Sequence, residues 1–149
     1  VKCEMIKNLV ISSLISTGCA VIDIGICPTP TVELAVLDLK AQGGIAITAS
    51  HNPIEWNALK FINSLGMFIT ETQKTKVDRL VENESLKFAS WNNLGKVRED
   101  NSQIEKHIDK ILSLNLINRD KIKERRLLKD IIKFWNQELI ENQIICILF

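Results

Sequence analysis

Helix-like and strand-like patterns alternate through the first 70 residues, and this alternation restricts the fold more than any other feature of the sequence. Residues 4–16 place apolar side chains at helical spacing, and Gly18 follows as a typical helix stop. The next run, AVIDIGI (20–26), is short and largely apolar, which is typical of a strand covered on both faces. A helix and then a buried strand therefore open the fold.

The same order continues after the segment CPTPT, which breaks the chain. A second helix is predicted over TVELAVLDLKA (31–41), with Pro30 near its start. Gly43 and Gly44 follow, and IAIT (45–48) is predicted as a second buried strand. A strand–helix–strand order implies a parallel pair joined by a right-handed crossover. The sequence thus predicts the α/β class, with a mixed, mainly parallel sheet sandwiched by helices.

The second half of the chain is more polar until its tail. ALKFIN and MFIT flank SLG (64–66) as a predicted hairpin, and Thr70 is a good N-cap for a polar surface helix. NSQIEKHIDKILSL (101–114) is amphipathic, and His107 borders its apolar stripe, where partly buried packing is expected. Residues 127–149 form an apolar tail that is compatible with a helix, and we expect its end to be exposed and adhesive.

The charge balance and hydropathy exclude two classes of partner. The chain has 19 Lys plus Arg and 18 Asp plus Glu, a net charge of +1. Such a chain has no field that attracts nucleic acid or anionic lipid. No stretch reaches the roughly 18 to 20 uninterrupted apolar residues of a membrane span. We therefore expect neither nucleic acid nor a membrane as a partner.

Cysteine usage indicates a reducing compartment. The four cysteines lie at positions 3, 19, 27 and 146 without a C-x-x-C pair. Two histidines are too few to complete a typical structural zinc site. Cys19 and Cys27 bracket the first strand, where buried thiols are expected. A cytoplasmic location is predicted.

A polar loop follows the second strand in the stretch GGIAITASHNP (43–53). Ser50 and His51 are adjacent, but adjacent side chains usually diverge and no G-x-S-x-G motif is present, so a serine hydrolase is a weak interpretation. Phosphate fits better, because a serine at the carboxyl end of a parallel strand lies at the ligand-binding edge of an α/β sheet. A purely structural loop is the alternative.

Neighbouring residues add to the phosphate interpretation. His51 and Asn52 offer polar contacts, and Pro53 stiffens the loop by restricting Asn52 to an extended conformation. Lys60 follows ten residues after Ser50 and is placed to supply positive charge or a proton. The sequence therefore predicts a phosphate-handling loop around Ser50.

TASHNP, followed by WNALKF, resembles the active-site serine loop of the α-D-phosphohexomutase superfamily, which includes phosphoglucomutase, phosphomannomutase and phosphoglucosamine mutase. CPTPT upstream and GMFIT downstream are similar to the family's first domain, and the resemblance spans roughly residues 4–126. Within the family, the sequence resembles the bacterial phosphoglucosamine and phosphomannose mutases most.

The resemblance implies an isomerase mechanism. Ser50 would carry a phosphoryl group, pass it to a hexose phosphate to form a hexose 1,6-bisphosphate, and take back the other phosphate. Mg²⁺ would bind the Ser50 phosphate together with aspartates from the second domain. His51 and Lys60 would position groups, transfer protons and stabilise charge. Thr48, Asn52, Pro53 and Asn57 are expected to shape the loop.

The sequence also departs from the family pattern. Ala58 stands where the family usually has Gly, and Trp56 replaces a common tyrosine. The family's first strand should precede Val1, and its metal, sugar and distal phosphate loops, in domains II–IV, should follow residue 127. Residues 1–126 are thus expected to form domain I without its first strand, and residues 127–149 an atypical tail in place of the start of domain II.

Taken alone, such a domain is expected to lack activity, because its magnesium ligand set would be incomplete. Two other classes stay open. The chain is alternatively an inert remnant, or a non-catalytic interaction module that pairs with a full-length mutase.

Overall fold

The structure is a computed structural model that describes residues 2–48, 56–83, 86–114 and 145–149. Helices and strands alternate along it as the sequence predicts. The elements in chain order are α1 (Lys2–Ser16), β1 (Val21–Ile26), α2 (Thr29–Asp38), β2 (Gly43–Thr48), β3 (Ala58–Asn63), α3 (Glu71–Glu82), a 3-10 turn (Trp91–Asn93), β4 (Val97–Glu99), α4 (Gln103–Leu112) and β5 (Ile145–Leu148).

The five described strands form one sheet in the order β3-β2-β5-β1-β4. β5 is antiparallel to both of its neighbours, so β1 and β2 run in the same direction, and β4 is parallel to β1. β3 is antiparallel to β2. Three strands therefore run one way and two the other, and the prediction of a mixed α/β sheet is confirmed.

The predicted pairing of β1 with β2 is wrong in one respect. The two strands are parallel, but they are not neighbours, because β5 lies between them. Leu148 is opposite Ile22 on one side and Gly44 on the other. Local sequence patterns identify strands and their relative direction around a crossover, whereas the identity of a neighbour depends on contacts from distant parts of the chain.

Helices cover both faces of the sheet, as predicted. On one face, α1 packs over Val21, Ile45, Ile47 and Ile147. On the other face, α2 packs over a second cluster, and α4 packs against α2. The buried members of that second cluster are Ile24, Cys27, Val32, Ala35, Val36, Ala46, Ile62 and Leu148. Of the two thiols expected to be buried, Cys27 is fully buried and confirms the expectation, whereas Cys19, just before β1, is only partly buried.

The local signals in the middle of the chain were mostly accurate. Thr70 caps α3 in a capping box, in which its hydroxyl accepts from the Gln73 amide and the Gln73 side chain accepts from the Thr70 amide. The predicted hairpin is only partly formed, since after β3 a single bridge joins Ile62 and Phe68. α3 has no buried residue and lies on the surface, as its polarity predicts.

The end of the tail differs from the prediction. We expected an exposed, adhesive terminus, but Ile147 and Leu148 are fully buried at the centre of the sheet. The cause is that β1 and β2 leave one strand-wide space between them, which these apolar residues fill. Among the described helices, none is both long and apolar enough to cross a membrane.

Candidate active site at the carboxyl edge of the sheet

The candidate loop leaves the sheet at the carboxyl end of β2. β2 ends at Thr48 and β3 begins at Ala58, so the intervening residues connect two antiparallel neighbours. Ser50, His51, Asn52 and Pro53, predicted as site residues, lie outside the described residues. The structure therefore fixes the two ends of the loop.

Thr48 holds the first end of the loop. Its side chain is fully buried, and it is opposite Ala58 in the β2–β3 register. Ala58 has no left-handed backbone conformation, since the non-glycine residue with positive φ in the described chain is Lys40, at 51°. The alanine that replaces the family's usual glycine therefore causes no backbone strain at this point. Asn57, predicted to shape the loop, is partly buried immediately before β3.

Two adjacent glycines at the start of β2 let neighbouring groups lie close to the strand. A Cβ on Gly44 would come within 3.0 Å of side-chain carbons of both Val32 and Val36. A Cβ on Gly43 would come within 2.8 Å of the Phe149 ring. The pair GG before IAIT is therefore required by close packing on both sides of the strand, at its first two residues.

Lys60 lies one pleat into β3, two residues after the strand begins. It is opposite Ala46 in the register and is half-buried. Ala46 packs under α2, and residues opposite each other on neighbouring strands lie on the same face of the sheet. Lys60 therefore lies on the face that α2 covers. Lys60 is thus a cation near the loop end of the sheet, on the side of the α2 N-terminus.

The first turn of α2 reaches the same edge, because β1 and β2 run in the same direction and α2 follows β1. Thr31 is almost fully buried there, and its Oγ1 lies 2.8 Å from Nδ1 of His107 on α4. Sequence reasoning placed His107 beside the apolar stripe, and its partial burial confirms that placement. Its bond to Thr31 was missed, because the two residues are 76 positions apart.

Burial lowers the pKa of His107 below its ordinary value, and the nearby charge of Lys110 lowers it further. The imidazole is therefore neutral at physiological pH, which suits a hydrogen bond with a hydroxyl. Lys110 also lies 3.6 Å from an Asp38 oxygen at the end of α2. These two contacts show that α4 runs parallel to α2 and ties its first turn in place.

An acidic side chain, Asp100, lies at the same edge of the sheet, where the outer strand β4 ends. Asp100 follows β4 and accepts hydrogen bonds from Ser102 and from the Gln103 side chain at the start of α4. The Ser102 hydroxyl is the main cause that lowers the pKa of Asp100 to about 2, with the Ser102 amide, Gln103 and Lys106 adding to it. The hydrogen bonds of Asp100 therefore stabilise the start of α4.

A second charged cluster lies on the opposite face, under α1. Lys7 Nζ is 3.0 Å from Glu4 and 3.1 Å from Asp23, whose other oxygen accepts from the Gly25 amide. Burial acts to lower the pKa of Lys7, but its bonds to Glu4 and Asp23 outweigh burial, so the pKa is raised. This cluster satisfies a buried carboxylate and belongs to the scaffold.

The described residues do not supply a magnesium site by themselves. Within residues 2–48, 56–83, 86–114 and 145–149, no group of three or more His, Cys, Asp or Glu side chains is placed to hold a metal ion. Next to the two ends of the serine-bearing loop, this edge offers Lys60 and the start of α2.

Comparison with known proteins identifies the family. The profile described as "Phosphoglucomutase/phosphomannomutase, alpha/beta/alpha domain I" matches residues 1–88. A phosphoglucomutase/phosphomannomutase of Thermococcus kodakarensis is 41% identical over 123 residues, covering 83% of this chain and 26% of that protein. A probable phosphoglucosamine mutase of Pyrococcus abyssi is 41% identical over 109 residues, covering 73% and 24%.

A third relative, a probable phosphoglucosamine mutase of Thermococcus gammatolerans, is 38% identical over 115 residues, covering 77% of this chain and 25% of its own length. The chain belongs to the phosphohexomutase superfamily, and its matched part is domain I of that family. It spans about a quarter of the length of these relatives. The relatives are mostly archaeal, so the comparison gives no support to the predicted bacterial source.

Proposed function

We propose that this chain is the phosphoserine-bearing domain of a hexose phosphate mutase, with Ser50 as the phosphoryl carrier. The observation that supports this most strongly is the position of TASHNP. In a chain of this family, the motif follows directly from a fully buried strand whose carboxyl end lies beside the first turn of α2. Ligands of open α/β sheets bind at that end of the strands.

The proposed reaction moves one phosphoryl group out and another back. The phosphoryl group on Ser50 Oγ passes to a free hydroxyl of a hexose monophosphate, whose proton leaves, and a hexose 1,6-bisphosphate results. The bisphosphate then gives its other phosphoryl group to Ser50 Oγ, which releases the isomeric monophosphate. The sum is an isomerisation in which phosphate is conserved. Catalysis of such transfers depends mainly on positioning and on neutralising charge.

His51 and Lys60 have complementary roles in this proposal. Lys60 lies on β3 close to the loop end of the sheet, so we assign it stabilisation of the phosphoryl oxygens during transfer. His51, next to Ser50, is assigned proton transfer and positioning. Thr48 and Asn57 hold the ends of the loop, and Asn52 and Pro53 shape its middle.

A phosphoserine carries a charge of about −1.5 to −2 at neutral pH and needs a cation. We assign that role to Mg²⁺, which would add Lewis-acid stabilisation of the phosphoryl group, with the Ser50 phosphate as its ligand from this chain. The described residues provide no further cluster of metal ligands. The remaining ligands would therefore come from domains II–IV of a complete enzyme, and the domain alone would not complete a catalytic cycle.

Intact-mass spectrometry after incubation with glucose 1,6-bisphosphate and Mg²⁺ tests this proposal. We expect a gain of one phosphate in the wild-type chain and in Ser64→Ala, a control serine in the exposed turn after β3. We expect no gain in Ser50→Ala. Phosphate that persists in Ser50→Ala would exclude Ser50 as the carrier. A wild-type chain that takes up no phosphate would contradict a carrier domain and support the inert alternative.

A further inference from the structure

A cavity of about 660 Å³ lies at the amino edge of the sheet, opposite the edge that bears the candidate loop. β1, β2 and β4 run in the same direction, so their first residues meet at this edge, where the antiparallel β5 ends. The cavity is lined by the connections that enter these strands and by Phe149, directly after β5. Its volume is within the range of about 300–1,000 Å³ that is typical of small-molecule sites.

Positive charge dominates the described lining of this cavity. Lys40, Lys96 and Arg98 contribute to the lining, and no described Asp or Glu does. Arg98 has an ion-pair partner outside the lining, an Asp100 oxygen at 3.7 Å, but neither lysine forms an ion pair with any of the described residues. A carboxylate at Phe149, where the sequence ends, would offset one charge. A positive excess remains, and a concave surface of this charge attracts an anion.

Main-chain hydrogen bonds hold the segments that carry the two lysines. Lys40 follows α2 in a left-handed conformation, and its amide donates to the Leu37 carbonyl at 3.2 Å. Glycine is favoured over lysine in this conformation, so the backbone does not explain why a lysine stands here. Lys96 directly precedes β4, and its carbonyl accepts from the Val21 amide at 2.8 Å. Two separate and fixed segments therefore bring a lysine each to one cavity.

Much of the remaining lining is apolar. Ala20, Ile22 and Ala41 contribute to it, and so does the partly buried Phe149. Two main-chain hydrogen bonds, of 3.0 and 3.1 Å, join Phe149 to Gly43 at the start of β2. An aromatic ring held in this way provides a surface on which a flat apolar group packs well.

We propose that this cavity binds a small organic phosphate, whose phosphate group contacts Lys40 and Lys96 and whose flat apolar part packs on Phe149. Lysine binds phosphate as a point charge, and two lysines without an ion-pair partner match the double negative charge of a phosphate monoester. The cavity lies at the opposite edge of the sheet from the candidate loop, so its ligand is independent of the phosphoryl transfer proposed for Ser50.

Isothermal titration calorimetry with 1-naphthyl phosphate tests the proposal. We expect a dissociation constant on the order of 0.5 mM, which is usual for a ligand of this size. Inorganic phosphate and the uncharged 1-naphthol each carry only half of the proposed contacts, so each should bind at least about ten times more weakly.

Charge-removing variants locate the binding. Lys40→Gln and Lys96→Gln should each weaken it about tenfold, the effect of one lost charge-assisted hydrogen bond. Lys74→Gln, at an exposed position on α3, is the matched control and should leave the affinity unchanged. Lys40→Arg and Lys96→Arg keep the charge and should stay within about threefold of the wild-type affinity.

The two lysines also lie next to the ends of helices. Lys40 follows α2, and the residue before Lys96, Gly95, donates to the Ile15 carbonyl near the end of α1. Cations stabilise such helix ends, so urea midpoints of the variants are measured beside the affinities. A weaker affinity at a urea midpoint close to that of the wild type shows loss of a ligand contact rather than loss of structure.

Protection of Cys19 provides a second measurement. Cys19 lines the cavity and is partly buried, whereas Cys27 is fully buried. We expect 1-naphthyl phosphate to slow the alkylation of Cys19 by iodoacetamide, with the modified residue identified by peptide mass spectrometry, and 1-naphthol at the same concentration to have little effect.

Three results would overturn the proposal. Equal affinities of Lys40→Gln, Lys96→Gln and Lys74→Gln would place the binding elsewhere on the chain. Equal affinities for 1-naphthyl phosphate and 1-naphthol would mean apolar adsorption without a phosphate contact. Neither heat nor protection of Cys19 with the probe at about 10 mM would mean that the cavity takes no such ligand.

Discussion

β2 and β5 are neighbours in the sheet, but they come from different kinds of sequence. β2 lies within residues 1–88, which match the family's domain I, and it leads directly into the candidate loop. β5 lies outside that match, yet both of its described side chains, Ile147 and Leu148, are as deeply buried as those of β2. The strand that bears the site is thus held on one side by β3 and on the other by a segment outside the family match.

This comparison separates the source of the chemistry from the source of the scaffold. The residues proposed for phosphoryl transfer, Ser50, His51 and Lys60, all lie in the family-matched part of the chain. β2, which leads into the candidate loop and pairs with the strand of Lys60, pairs on its other side with β5. Changes in β5 should therefore affect the stability of the whole sheet, while changes at the loop end should affect phosphate uptake with little effect on stability.

The largest effect is expected from Leu148→Asp. This change puts a carboxylate into a fully buried position between β1 and β2, where no partner for it is present among the described side chains. We expect a loss of at least about 4 kcal/mol of unfolding free energy, or failure to fold. Urea unfolding monitored by circular dichroism measures it. The control Leu114→Asp, at a half-exposed position, should change stability by about 0.5 kcal/mol or less. Equal effects of the two variants would contradict a central β5.

The second effect concerns chemistry rather than stability. Lys60→Met removes the cation on β3 that we assign to the phosphoryl oxygens. Loss of one such contact typically costs about 100-fold in rate. We therefore expect phosphate uptake from glucose 1,6-bisphosphate to slow by about that factor, measured by intact-mass time courses. Lys74→Met, on the exposed side of α3, is the matched control. Similar rates in both variants would leave Lys60 without the proposed role.

A third change tests the close packing beside the site. Gly44→Ala adds a methyl group 3.0 Å from Val32 and Val36 and 3.1 Å from Leu148. Overpacking of this kind costs about 1–3 kcal/mol. Urea unfolding should show a lower midpoint without a change in slope. An unchanged midpoint would mean that α2 and β5 approach β2 less closely than described.

The smallest effect is a pH dependence from His107. Burial lowers its folded-state pKa, so between that pKa and the ordinary value of 6.5 the unfolded chain binds more protons. The contribution of the neutral imidazole to stability is fully present above about pH 6.5 and declines as the pH falls toward the folded-state pKa. Unfolding midpoints at about pH 7.5 and 5.5 measure it. His107→Gln should reduce the difference between them, and an equal difference in this variant would assign the effect to another group.

Local patterns predicted much of the fold because most of it is built from local signals. The helical spacing in α1, the apolar runs of β1 and β2 and the capping box at Thr70 are all encoded within a few residues. β4 was missed because it has three residues, all exposed, and so shows no apolar run. β5 was missed because its sequence, ICIL, follows a stretch compatible with a helix, and its pairing partners lie about 100 residues earlier in β2 and about 120 residues earlier in β1.

The residues of the candidate site also divide into those that local sequence could place and those that it could not. Thr48, Asn57 and Lys60 occupy the places at the loop ends that their order in the sequence indicates. The roles of Ser50 and His51 came from resemblance to a family, because no local pattern distinguishes a phosphate carrier from a structural serine. The contact between Thr31 and His107 was not predictable, since it joins two helices whose packing depends on the finished sheet.

Amide hydrogen exchange of residues 145–149 tests most directly the claim that the strand bearing the site depends on β5. We expect the amides of this segment to exchange as slowly as those of β1 and β2, because they lie in the middle of one cooperative sheet. Exchange of residues 145–149 at the rate of an unstructured chain, with β1 and β2 still protected, would contradict the account, since the sheet would then persist without its central strand.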